Sequence, residues 1–140
     1  MKITKKGLDV IKKYEGCKLY AYKCPAAVWT IGVGHTLGVK KGDVITQIEA
    51  DNFLRKDVNF AERVVDRLNI KFKQGQYNAL VSFIFNVGIG AFDVSTLRKK
   101  ILINQNDKTI PKEFQRWIFA GGQPLNGLIR RRKEESELYA

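Results

Sequence analysis

Residues 14–36 read YEGCKLYAYKCPAAVWTIGVGHT. Its first residues close a helical pattern and the remainder abandons it. Upstream, Leu8, Ile11 and Tyr14 recur near helical spacing. Thr4 is placed to cap the start, and Gly16 stands where a left-handed residue ends a helix. From Cys17 onward, aromatic and β-branched residues mix with a proline and two glycines. That mixture suits a small, twisted β-sheet rather than a helix.

Beyond this stretch the pattern is helical. TQIE at 46–49 is a capping box, with Thr46 as N-cap and Glu49 reaching back. The spacing predicts one helix from there to about Leu68, with Phe53, Leu54, Val58, Ala61, Val64, Val65 and Leu68 on its inner side. Such a helix is long enough to join two lobes. KQGQYNALVSFIFNVG (73–88) is apolar enough for a core helix, stopped by Gly88 and Gly90. Ser95 caps a short helix through Ile103. Pro111 suits the first turn of another, ending before Gly121 and Gly122. The last segment, NGLIRRRKEESELYA (126–140), sets Arg130–Glu134 and Arg131–Glu135 at i, i+4. Its cation-first order opposes the helix dipole, so packing must hold this helix. The expectation is a mostly helical α+β fold, residues 1–140 forming a single domain, with a cleft between sheet and helical lobe as the ligand site.

The totals narrow the function classes. The chain has 140 residues, 44% of them hydrophobic, which suits one globular core rather than disorder. No apolar run approaches the roughly 20 residues that cross a bilayer. The N-terminus is basic but lacks the apolar stretch of a signal peptide, so the chain is expected to accumulate where it is made. A net charge of +11 favours polyanionic partners: nucleic acid, anionic lipid or an acidic cell wall. Two cysteines and one histidine are too few for a disulfide scaffold or a closed zinc site. Neither a metal nor another cofactor is expected.

Glu15 carries the first chemical signal. It falls at the C-terminal end of the first helix, where the dipole disfavours a carboxylate, and Tyr14, Tyr20, Tyr22 and Trp29 can shield it from water. Both effects push its pKa upward. A carboxylic acid kept protonated near neutral pH is the proton donor that glycoside cleavage requires. Alone, Glu15 also reads as a surface glutamate near a helix end.

An ordered set of residues decides between these readings. Glu15-Gly16, Ala21-Tyr22, Trp29-Thr30-Ile31-Gly32 and Gly34-His35-Thr36 together resemble the active-site segment of the phage-type lysozymes. NALVSFIFNVGIGAFDVSTL (78–97) resembles that family's central helix and following loop, and GLIRRRKEESELY (127–139) its closing helix. The resemblance implies a lysozyme-like α+β fold: a small β-sheet lobe and a larger helical lobe joined by a long helix. It implies a muramidase of endolysin type that cuts the β-1,4 bond between N-acetylmuramic acid and N-acetylglucosamine in peptidoglycan. Glu15 would be the general acid, and Thr30 would position water or the reacting sugar. The position nine residues after the acid, often aspartate in the family, holds Cys24 here.

A thiol can replace that carboxylate only as a thiolate or as a weaker hydrogen-bond partner. Nearby Lys18 and Lys23 can favour the thiolate. It would then orient or deprotonate water, with inversion at the anomeric carbon, or attack that carbon itself, with retention. The bland alternative is a cysteine that only fills space. A disulfide between Cys17 and Cys24 would sequester the thiol and silence the enzyme until reduced. By the same resemblance His35 would support the cleft by hydrogen bonding rather than act directly, and Phe85 and Asn86 would face the cleft, with plain core packing the other reading of Phe85. The run Arg130–Arg132 binds wall carboxylates or forms a solvated helix face, the latter expected for at least one of the three.

The resulting expectation is a monomeric endolysin, held on the anionic wall by charge, that waits in the host cytoplasm until a holin-like membrane protein opens the way. Its rivals are a non-catalytic peptidoglycan-binding protein on the same fold and a nucleic-acid-binding protein. Charge alone supports the last, since no base-reading helix or RNA-binding aromatic motif is present.

Overall fold

The computed structural model describes residues 1–140, which divide into two compact units: Ile11–Asn59, and Met1–Val10 with Phe60–Ala140. Helix α1 (Lys5–Glu15) contributes to both. It ends as its sequence predicts. Gly16 takes φ +76° and its N–H donates to Lys12 O at 2.9 Å. That left-handed turn redirects the chain into the sheet.

In the unit Ile11–Asn59, β1 (Lys18–Lys23) and β2 (Trp29–Gly32) pair antiparallel. Tyr22 lies opposite Thr30 and Lys23 opposite Trp29, with an irregular register between Lys18 and Tyr22. Tyr20 also bridges to Val44, and Ile31 to His35. Helix α2 (Gln47–Asp57) covers β2. The approach is close at Gly32, where an added β-carbon would lie 3.4 Å from Ala50 Cβ. Ile31, Val33, Ala50 and Leu54 form the buried seam. The capping box forms as read: Glu49 N–H donates to Thr46 Oγ1 at 3.2 Å, and Thr46 N–H to Glu49 Oε1 at 3.1 Å.

The other unit is built on α4 (Gln74–Val87), buried from Gln76 through Ile84. Helix α8 (Asn126–Tyr139) packs along it. Around them stand α3 (Asn59–Asp66), α5 (Ile89–Asp93), α6 (Thr96–Ile103) and α7 (Ile110–Phe114). Phe83 sits at the aromatic centre, edge-on to Phe92, Phe114 and Trp117. Ser95 Oγ caps α6 by accepting the Arg98 N–H at 3.1 Å.

Two expectations need correction. The single helix expected from residue 47 to 68 is two, α2 and α3, interrupted at Val58. Val58 keeps right-handed helical dihedrals and is fully buried. No proline or glycine marks the break, so tertiary packing makes it. Gly121 and Gly122 do not follow a helix. With φ +57° and +78° they form the two-residue turn between β3 (Phe119–Ala120) and β4 (Gln123–Pro124). The arginine run is solvated only at its first member, as expected for at least one of the three. Arg131 and Arg132 are buried against Glu135, and only Arg130 is exposed. This buried ion cluster is the packing that holds α8 against its unfavourable charge order.

Candidate active site

The unit Ile11–Asn59 gathers Glu15, Cys24, Thr30 and His35. Glu15 is half-buried at the last residue of α1. Its carboxylate turns back over the loop after β2, so that a β-carbon added at Gly34 would lie 3.8 Å from Glu15 Oε2. Gly34 itself has φ +73°, which favours glycine and keeps that approach open. One turn earlier, Lys12 Nζ meets Asp51 Oδ1 at 2.8 Å and pins the end of α1 to α2. The acid is therefore carried on a helix end fixed to the element beneath the sheet.

Cys24 occupies the turn between β1 and β2. Its N–H donates to Val28 O at 3.0 Å, and its carbonyl accepts the Ala27 N–H at 2.8 Å, with Ala27 at φ +60°. This tight loop aims main-chain N–H groups at the sulfur. Hydrogen bonding from the backbone of Val28 and Ala26, with a further contribution from the Thr30 hydroxyl, holds the thiol pKa below its ordinary value. Thr30 is buried, and its Oγ1 lies 3.0 Å from Val28 O. A hydroxyl carries one hydrogen. With a neutral thiol that hydrogen rests on Val28 O, and with a thiolate it can turn to the sulfur. The lysines do not produce this shift. Lys18 Nζ stands 4.4 Å from the centroid of the Tyr22 ring, and Lys23 Nζ 5.5 Å from that of Trp29.

Tyr22 lies within electrostatic reach of both Cys24 and Glu15. Its phenol pKa is raised first by partial burial, then by negative charge on Cys24 and on Glu15. The strand register places Tyr22 opposite Thr30, so acid, thiol and hydroxyl are arranged around one pair of residues. Chemically, this set offers a proton donor, an ionisable nucleophile or base, and a hydroxyl to orient water.

His35 is only 8% exposed. Its Nδ1 is 2.8 Å from Asp57 Oδ2, and its ring stacks on Phe53 at 4.1 Å with an interplanar angle of 1°. The imidazole thus ties the sheet loop to α2 rather than presenting itself to solvent. Of the two readings left open for Cys17 and Cys24, a disulfide or free thiols, the second holds: both thiols are free. They flank β1 at opposite ends. A strand rises about 3.3 Å per residue, so some 20 Å separates them, far beyond disulfide reach.

Phe85 and Asn86 lie in the other unit, in the last turn of α4. Phe85 is half-buried against Phe60, with ring centroids 6.1 Å apart. Asn86 is exposed, and its Oδ1 accepts from Arg132 Nη2. Sequence reasoning missed the partners: Asp57 for His35, Phe60 for Phe85, Arg132 for Asn86. It also missed the main-chain donors of Ala26 and Val28. The Cys-Pro pair before two alanines was the one available signal for that turn.

A family model described as phage lysozyme matches residues 12–135. The chain is 42% identical to an endolysin of Acyrthosiphon pisum secondary endosymbiont phage 1, over 99% of this chain and 98% of that protein. It is 39% identical to an endolysin of Bacillus phage PZA, covering 99% of this chain but 55% of that longer protein. A point mutant of P22 lysozyme superposes with a TM-score of 0.90 at 33% identity, covering 99% of this chain and 98% of that one.

Proposed function

Since the chain belongs to the phage lysozyme family, we propose that Glu15, Cys24 and Thr30 carry the reaction of that family in a single catalytic domain of residues 1–140. The protein is a muramidase of endolysin type. It hydrolyses the β-1,4 bond between N-acetylmuramic acid and N-acetylglucosamine in the wall of the host cell. No helix is long and apolar enough to cross a membrane. Before lysis the enzyme waits as a monomer in the host cytoplasm, and a holin-like membrane protein releases it. Its charge of +11 then holds it on the anionic wall.

The observation that carries the residue assignment is the setting of Cys24. A thiol ringed by the N–H groups of Ala26 and Val28 and by a buried threonine hydroxyl is poised to ionise. In the cleavage step Glu15 gives its proton to the bridging oxygen as the glycosidic bond breaks. A water held by Thr30 attacks the anomeric carbon from the opposite face, and its proton passes to the Cys24 thiolate. The bond electrons leave with the protonated oxygen, so charge balances. One proton has moved from Glu15 to the leaving group and one from water to sulfur. His35, fixed by Asp57 and Phe53, holds the loop over which the Glu15 carboxylate lies. Phe85 and Asn86 contact the glycan.

Turbidity of purified walls tests this directly. Wild type clears the suspension, and Glu15→Gln does not. Carboxymethylation of the thiols in wild type stops lysis, whereas Cys17→Ser leaves both the activity and its sensitivity to the reagent intact. Full lysis by a Cys24-alkylated enzyme would overturn the role given to the sulfur.

A further inference from the structure

The amide of Asn86 is not free to choose which way it points. Arg132 is completely buried beneath it, and each guanidinium nitrogen is engaged. Nε donates to Trp117 O at 3.0 Å, Nη1 donates to Glu135 Oε1, and Nη2 donates to Asn86 Oδ1. The guanidinium carbon also lies 5.0 Å from the centroid of the Phe83 ring. Glu135, itself fully buried, is held on its other oxygen by the Ser82 hydroxyl at 2.5 Å and by Arg131 Nε at 3.3 Å. Arg131 Nη2 closes the set on Ser82 O at 3.1 Å. One arm of this fixed fork reaches the surface, and it ends on Asn86.

A guanidinium has only donors, so whatever faces it must accept. The Asn86 carbonyl oxygen is therefore turned inward and its NH2 outward, whichever way the amide would sit without the arginine. Arg132 thus converts an ambivalent side chain into a pure donor. We infer that Arg132 is a positioning residue that makes Asn86 read a hydrogen-bond acceptor on the glycan. A carbonyl oxygen of an N-acetyl group fits that chemistry, and a bare amine, protonated at neutral pH, does not. This inference rests on the reading above that Asn86 contacts the glycan.

Asn86→Asp separates this role from a structural one. Aspartate keeps the acceptor for Arg132 and strengthens it by charge, but it offers no outward donor. Binding is measured by calorimetry on soluble, uncleaved chains of N-acetylglucosamine and on partly de-N-acetylated chains of the same length, with Glu15→Gln as the background to prevent turnover. Asn86→Asp melts at or above the parent and binds the acetylated chain about tenfold more weakly, the scale of one lost neutral hydrogen bond with its acceptor left unpaired. It also discriminates less between the two chains than the parent does. Arg132→Lys, whose single ammonium cannot span Trp117, Glu135 and Asn86 together, weakens binding several-fold in the Asn86 protein and has no further effect on binding in an Asn86→Ala protein. Unchanged affinity and discrimination in Asn86→Asp would overturn the inference, as would a parent that binds neither chain. The muramidase reading is judged separately by wall clearance with Glu15 intact, so the two can fail independently.

Discussion

Two ionisable centres in this protein are built on opposite plans. Cys24 lies in the turn between β1 and β2, half-exposed, and its pKa is lowered by main-chain N–H groups two and four residues away. Glu135 lies at the heart of the helical unit, fully buried, and is held by Ser82, Arg131 and Arg132. The first is local and partly open to solvent. The second joins α4 to α8 and is sealed from water. Proximity to solvent lets the thiol exchange protons with an incoming water. Burial lets the glutamate keep two guanidinium groups where hydrophobic packing alone would reject them. One centre is open to a change of protonation, the other is locked between two helices of its own unit.

Substitutions can break this contrast, and the largest effect falls on the reaction. Glu15→Gln removes the proposed proton donor but not the shape of the site. Lytic rate falls by about 10²–10⁴-fold in a wall-clearance assay while the melting temperature stays close to wild type. Retained lysis would move the acid elsewhere. Next comes the buried centre. Glu135→Gln leaves Arg131 and Arg132 buried without their anion and costs about 3–5 kcal/mol of folding stability, visible as a fall in melting temperature of roughly 10 °C or more. A small shift would mean that α8 is held by its apolar contacts alone.

Cys24 should respond differently from Glu135. Cys24→Ser lowers lytic rate by about 10–100-fold, because a hydroxyl does not ionise at neutral pH, and leaves stability nearly unchanged. The pH profile sharpens the point. The thiol pKa lies below its ordinary value, so the thiolate and the activity that needs it appear as pH rises through that lowered value and are lost as pH falls below it. Cys24→Asp replaces the thiol with a group that ionises near pH 4, and the acidic limb of the rate profile moves to lower pH. A limb that stays in place would show that sulfur ionisation does not govern the rate. The smallest effect concerns the scaffold of the same unit. Thr46→Ala removes a hydroxyl that accepts from the Glu49 N–H and costs about 1 kcal/mol, seen in thermal melting, with no change in pH profile.

The same contrast explains what could be read in the sequence. Gly16 as a helix stop, the Thr46–Glu49 box, the Ser95 cap and the apolar run of α4 all depend on neighbours within a few residues, and each formed as read. The acid, the thiol and the threonine fell into one compact unit because the turn and strands that carry them are consecutive. The break at Val58 carried no local mark, and the burial of Arg131 and Arg132 depends on a serine some 50 positions away. The Gly121–Gly122 pair had a local meaning, but it fits a helix end as well as a hairpin turn until β3 and β4 are seen to pair. Cys17 and Cys24 looked near in sequence, yet an extended strand turns seven residues into distance rather than proximity. Lys18 and Lys23 looked like the source of the thiol's acidity, but the backbone supplies it.

Central to the account is a water activated by sulfur on the sugar face opposite Glu15. Proton NMR of the first anomer released from a wall oligosaccharide tests this most directly, with wild type, Cys24→Ser and Cys24→Asp compared. The account predicts that the α-anomer appears first and then relaxes by mutarotation, in wild type and Cys24→Asp alike, with Cys24→Ser slower but of the same stereochemistry. First appearance of the β-anomer from wild type would contradict it and would assign the sulfur to a covalent intermediate instead.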